Sequence, residues 1–156
     1  MSTDDNRIDG FILPGHVSIV IGLNAYKHFF DRHQTPCVVA GFEAVDLLQA
    51  ILMLVKQIES NRPRLKNGYP RAVTPEGNRK AQKMMNDIFK TVDTSWRGIG
   101  TILKSGLKLK NEFESYDAEK MFRYTLPDTE DPKGCACGEI LTGAKIPPQC
   151  SLYKSI

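Results

Sequence analysis

The sequence predicts an α/β protein: an open, mainly parallel sheet flanked by helices, followed by a C-terminal segment that carries cysteines. Three observations lead there. Between Thr35 and Gln57 a short apolar run, Cys37-Val38-Val39, closes at Gly41 and gives way at once to a long apolar helical pattern. A strand that turns through glycine into a helix is the unit of open α/β sheets. Upstream, Ile8 to Leu13 reads as another short strand, broken by Pro14-Gly15 before more helical sequence. Finally, three of the four cysteines, Cys135, Cys137 and Cys150, lie together near the C-terminus.

Taken in order, residues 1–7 are polar and acidic and read as a mobile lead-in. After the strand at Ile8–Leu13, the stretch Pro14-Gly15-His16-Val17-Ser18 breaks the pattern, and Ile19–Ile21 reads as a helical turn ended by Gly22. Ala25 to His33 places Ala25, Tyr26, Phe29 and Phe30 at amphipathic-helix spacing, and Thr35-Pro36 stops it. The long helix runs from about Ala44 to Ser60 and is apolar on nearly every side between Leu47 and Val55, as expected of a helix held between a sheet and another layer. Asn61-Arg62-Pro63 ends it.

Leu65–Tyr69 reads as a loop with an Asn67-Gly68 turn signal, and Arg71-Ala72-Val73 as a short extended segment. A helix is expected from Arg79 to about Thr91, entered through Pro75-Glu76. A glycine-interrupted extended stretch follows from Trp96, continuing through Phe113. A short helix over Asp117–Phe122 has Ser115 or Asp117 as its cap. From Thr125 to Lys133, two prolines and three acids make a linker. The expected organisation is a lead-in over 1–7, an α/β lobe over 8–124, and a linker with the cysteine segment over 125–156.

A chain of 156 residues suits one domain, or one with an appendage, and is long enough to bury a sizeable core. The net charge of +3 is too small to argue for nucleic acid, and its densest basic group, Lys104, Lys108 and Lys110, reads as a solvated face. Residues 1–10 hold no apolar signal region, and the longest apolar run, Ala50–Val55, falls far short of the ~20 residues of a membrane span. The expected compartment is the cytosol, where cysteines favour metal or redox chemistry over structural disulfides. An isolated strand cysteine such as Cys37 reads as a small buried hydrophobe.

Three places could carry chemistry. At Pro14-Gly15-His16 a glycine before a helix start lets a ligand approach backbone N–H groups, and His16 could supply a proton or a metal-binding nitrogen; a polar turn is the plainer reading. Glu43 and Asp46 share one face of a helix's first turn and could accept a proton, bind a cation or orient a neighbour, or simply cap the helix. Both groups follow predicted strands, so a parallel sheet would bring them to one edge, with Glu76-Gly77-Asn78 as a candidate third loop. Cys135, Cys137 and Cys150 suggest zinc or an iron–sulfur cluster, one thiolate short of a closed site, with Cys37, a histidine or a ligand outside the chain as the fourth. Unligated cysteines in a flexible tail are the alternative.

These motifs together resemble the C-terminal half of the HypD family of hydrogenase maturation proteins. The matching stretches are G-F-I-L-P-G-H-V-S from Gly10, P-C-V-V-A-G-F-E-A-V-D-L-L-Q-A-I-L-M-L from Pro36, P-E-G-N-R-K-A-Q from Pro75, W-R-G-I-G-T-I-L-K-S-G-L-K-L from Trp96 and C-A-C-G-E-I-L-T-G from Cys135. The resemblance implies α/β lobes around a cleft plus a cluster-bearing region, and a role in building the iron centre of [NiFe] hydrogenases, an iron with cyanide and carbonyl ligands. It implies a small HypC-like chaperone and a HypE-like cyanide donor as partners, and a [4Fe–4S] cluster serving electron transfer. It places His16 and Glu43 near the cleft as the catalytic candidates, and Cys135, Cys137 and Cys150 in the metal-binding motif, with Cys150 the foremost cluster ligand.

The sequence departs from that pattern. The family's G-F-E-T-T and G-P-G-C-P-V-C motifs do not occur, and after Cys150 the chain reads S-L-Y-K-S-I where the family continues with further cysteines. The expectation is therefore a fragment, a truncated gene product or half of a split protein, with an incomplete and labile cluster. A zinc- or iron–sulfur-binding interaction module and a stand-alone α/β enzyme using His16 and Glu43 are the alternatives; no nucleophile elbow or phosphate loop supports the enzyme.

Overall fold

The computed structural model describes residues 8–122 and 132–154. The expected lead-in and most of the expected linker fall outside those residues. The described chain gathers into two compact units, one from Ile8 to Met84 and one from Met85 onward. The lobe expected to reach residue 124 thus contains a boundary near Met84.

The first unit is a three-stranded parallel sheet flanked by helices. Its strands are β1 (Phe11–Pro14), β2 (Cys37–Ala40) and β3 (Leu65–Asn67), in the spatial order β1-β2-β3. Phe11 pairs with Cys37, and Cys37 in turn with Leu65. Its helices are α1 (Gly15–Ile21), α2 (Lys27–His33), α3 (Ala44–Glu59) and the start of α4 (Arg79–Ile88). Central β2 is buried at all four positions, which is why its sequence is an unbroken apolar run. Val38 and Ala40 pack against Ala50 and Leu54 of α3, joined by Leu47 and Met53. Full burial of a side chain the size of Val38 contributes about 1.5–3 kcal/mol of transfer free energy.

Three readings change. Leu65–Asn67 is a strand and not a loop; at three residues it is too short to show alternation. Arg71-Ala72-Val73 belongs to a turn, in which Ala72 and Val73 both donate backbone N–H groups to the Tyr69 carbonyl. Helix α3 is buried on one side only. Asp46, Ala50, Leu54 and Gln57 face inward, while Val45, Leu48 and Leu52 are exposed.

The second unit is built on an antiparallel hairpin of β4 (Phe89–Trp96) and β5 (Gly100–Leu109), with an irregularity between Val92 and Thr94. Helix α4 stops three residues early because Phe89-Lys90-Thr91-Val92 pairs with Gly106–Leu109 instead. β-branched residues pack better on a pleated surface than on a helix. Short α5 (Ala118–Met121) is capped by Asp117, whose carboxylate accepts from the Glu119 N–H at 3.1 Å. The cysteine segment adds α6 (Cys137–Leu141) and a single 3₁₀ turn, Pro147–Gln149. Among the described residues of this unit, only Ala136 is buried.

Candidate functional site

Parallel strands deliver their carboxyl ends to one edge, and the three loops that leave β1, β2 and β3 carry the polar groups of the first unit. The loop after β1 opens α1 with His16, which is exposed. The loop after β2 carries Phe42 and Glu43, and the His16 and Phe42 rings lie 5.0 Å apart between centroids. The loop after β3 carries Tyr69 and Arg71, held because Asn67 accepts from the Tyr69 N–H at 2.9 Å and donates to the Val73 carbonyl at 2.8 Å.

Arg71 reaches from the loop after β3 to the loop after β2 and the first turn of α3. Its two terminal nitrogens donate to the two oxygens of Asp46 at 2.7 and 2.6 Å, a bidentate pair, and Nη2 also reaches Glu43 at 3.1 Å. Its guanidinium lies 4.4 Å from the centre of the Tyr69 ring. Asp46 is only 5% exposed, so its charge depends on this partner. The hydrogen bond from Arg71 holds the Asp46 carboxyl below the ordinary carboxylate value, against the opposing effect of burial. Asp46 in turn raises the Arg71 pKa further.

Gly41 makes the arrangement possible: a Cβ there would overlap the Asp46 carboxylate and press on the Tyr69 ring. Neither acid caps α3. Glu43 occupies the N-cap position without a side-chain bond to the helix, and the Asp46 carboxylate turns to Arg71. The capping explanation is therefore replaced by an ion-paired group, with Asp46 at its centre and Glu43 at its exposed rim.

The other expected members part company. Glu76-Gly77-Asn78 lies at the C-terminal end of α1, where Asn78 N–H donates to the Val20 carbonyl at 3.0 Å, and it does not join the carboxylates. Cys37 is fully buried, and its thiol donates to the Thr35 carbonyl at 3.3 Å; burial pushes its pKa up. It is the buried small residue its strand position suggested.

In the second unit the sulfurs of Cys135 and Cys137 lie 3.0 Å apart. That contact, with Cys135 as partner, pushes the Cys137 thiol up. The Cys150 thiol goes down, because its sulfur accepts from the Ala136 N–H first and then from Leu152. A cavity of about 370 Å³ opens beside this segment, lined in part by Gly98 of the β4–β5 turn, Cys135, Cys137 and Thr142. Gly98 and Gly138 touch backbone to backbone, so a Cβ on Gly138 would strike the Gly98 carbonyl.

The chemistry of these donors suits a soft metal, since a thiolate is the ligand form. Their placement does not complete one. Two thiolates on one tetrahedral metal with ~2.3 Å bonds stand roughly 3.7 Å apart. Among the described residues no group of three or more His, Cys, Asp or Glu side chains is placed to hold a metal ion. The set present does not by itself fit a four-thiolate cluster.

Arg71 and Tyr69 are the site residues that sequence reasoning missed. The available signal was the Asn67-Gly68 turn directly after Leu65-Lys66, which marks a third strand end. Treating Leu65–Tyr69 as loop placed Arg71 in an extended segment, away from the edge.

Fold and sites define an α/β protein with a strand-end polar group and an appended thiol segment. The chain belongs to the HypD family: the family described as "Hydrogenase formation hypA family" matches residues 1–156. It is similar to the hydrogenase maturation factor HypD of Cupriavidus necator, at 44% identity over 150 residues, 96% of this chain and 40% of that protein. HypD of Escherichia coli K12 is 43% identical over 150 residues, again 96% and 40%. A putative hydrogenase expression/formation protein of Methanocaldococcus jannaschii is 40% identical over 151 residues, 96% and 42%. The chain thus spans about two fifths of the length of the curated relatives it matches. No helix among the described residues is long and apolar enough to cross a membrane.

Proposed function

We propose that this chain supplies part of a HypD-type scaffold on which the iron of [NiFe] hydrogenases, with its cyanide and carbonyl ligands, is assembled in the cytoplasm. The family match over residues 1–156 carries the reading. The strand-end group supports it. Exposed His16 and Glu43 border one edge, where open α/β sheets bind ligands, and Arg71 reaches the Glu43 carboxylate at 3.1 Å. His16 would hold or pass a proton there, and Glu43 would accept one or orient a bound group. A small HypC-like chaperone and a HypE-like cyanide donor are the partners this reading implies.

Cys135, Cys137 and Cys150 are proposed as thiolate donors to an iron–sulfur cluster, a [4Fe–4S] group whose remaining ligation comes from outside this stretch of chain. The backbone N–H groups aimed at the Cys150 sulfur favour its thiolate, as such a donor needs. Iron bound by this chain alone is expected to be substoichiometric and labile.

The test is expression of the chain in a hydrogenase-producing strain that lacks HypD, with iron and sulfide measured on anaerobically purified protein. No rescue of hydrogenase maturation and weak iron content are expected. Full rescue by the chain alone would overturn the incomplete-scaffold reading, and tightly bound stoichiometric zinc would overturn the iron–sulfur assignment.

A further inference from the structure

We infer that the outer side of α3 is a self-association face, through which two copies of this chain pair antiparallel about a two-fold axis. Six large apolar residues line that side: Val45 (73% exposed), Leu48 (67%), Ile51 (47%), Leu52 (52%), Val55 (42%) and Ile58 (45%). From Ala44 to Val55, Gln49 is the sole polar residue among the exposed positions of the helix. Together the six leave roughly 500 Å² of contiguous apolar surface in water, the upper range for the largest patch on a soluble monomer.

The spacing favours a second copy as the occupant. Val45, Leu48, Leu52 and Val55 follow the three-four alternation of a helix–helix seam. An antiparallel partner centred between Ile51 and Leu52 sets Val45 against Ile58, Leu48 against Val55 and Ile51 against Leu52. Each contact then occurs twice, as an isologous interface requires, and most combine a β-branched side chain with a leucine. The six seam positions themselves carry no charge. Glu59 meets the free N–H groups of the other helix's first turn, where negative charge is favourable. Two such faces bury about 1,000 Å², the lower bound for a specific interface and well below an obligate one. The dimer is therefore reversible.

Sedimentation equilibrium over roughly two decades of protein concentration, with circular dichroism to confirm folding, tests this. The full chain is expected to pass from monomer to dimer. Leu48→Asp is expected to weaken association by about a hundredfold, because it sets a charge against Val55 within the apolar seam. Val45→Lys and Ile58→Glu are each expected to weaken it, and the double variant V45K/I58E to return to within about tenfold of the unmodified chain, since the two positions face each other across the axis. A chain that stays monomeric throughout overturns the inference and leaves the face to another part of a longer HypD-type protein. A dimer unaffected by Leu48→Asp, or a double variant as weak as the singles, overturns the interface as drawn. Hydrogenase maturation does not enter any of these measurements, so the result is independent of the proposed function.

Discussion

The two units solve the same problem, holding a few reactive groups in place, in opposite ways. In the first, β2 is buried along its whole length and α3 packs on it, so the loops at the strand ends leave a rigid base. Glu43, Tyr69 and Arg71 come from two of those loops and Asp46 from the first turn of α3; Arg71 links them through charge-assisted hydrogen bonds to both acids and a contact with the Tyr69 ring. In the second, a two-stranded hairpin and short helical turns bury only Ala136 among the described residues; backbone N–H groups meet the Cys150 sulfur, and Cys135 and Cys137 contact each other. The comparison shows what a core does for a site. A buried polar group is worth keeping only where its partner is fixed, and a packed sheet fixes it. The cluster proposed for the thiols would itself supply geometry and binding energy, so they can be held loosely beforehand.

The largest expected effect is on the core. Val38→Asp buries an unpaired carboxylate in the sheet, which costs several kcal/mol, a large share of the 5–15 kcal/mol that holds a domain together. Amide hydrogen exchange is expected to show loss of protection across β1–β3 and little change in β4–β5. Equal loss in both would mean that the second unit borrows its order from the first, and the contrast would fail. A milder cut, Val38→Ala, is expected to cost about 2 kcal/mol.

Next comes Arg71→Met, which strips Asp46 of its partner. In the unmodified chain the Asp46 pKa is depressed, so its contribution is complete above the ordinary carboxylate value of about 4 and disappears as pH falls through the lowered value. In the variant, burial acts alone and the sign reverses. Thermal melts are expected to separate the two proteins by several degrees at pH 7 and to converge below pH 4. A constant gap at all pH values would show that Arg71 acts by packing on Tyr69 and not through Asp46.

The smallest effect is a ranking of thiols. Alkylation at pH 7.5 followed residue by residue is expected to label Cys150 ahead of Cys137, since its lowered pKa gives it more thiolate while that of Cys137 is raised. Cys37 should lag by at least about tenfold, being buried with a raised pKa. Fast labelling of Cys37 would report frequent opening of the sheet and weaken the contrast between the units.

Periodicity carried most of the first unit. Cys37–Ala40 and Ala44–Glu59 were legible because a central strand is an unbroken apolar run and the helix that covers it repeats apolar residues at helical spacing over a length no strand reaches. β3 was not, because three residues carry no period. The early end of α4 was not, because Phe89 and Val92 suit a helix as well as a strand until β5 is present to pair with them. The nature of the carboxylate pair was open for the same reason. Capping and ion pairing put the same residue types at the same positions, and Arg71, 25 residues away from Asp46, decides between them.

By itself, then, the sequence determined the fold class, the strand-to-helix turn at Gly41, the gathering of three cysteines and the motifs of the HypD family. These depend on local patterns, and a local pattern is written in adjacent residues. Tertiary structure alone decided that Asp46 and not Glu43 anchors the polar group and that Arg71 binds both. It also decided that Cys135 and Cys137 touch without completing a metal site, and that one side of α3 faces water. Each of those depends on which distant residues the fold brings within a few ångströms, and burial and hydrogen bonding act only at that range.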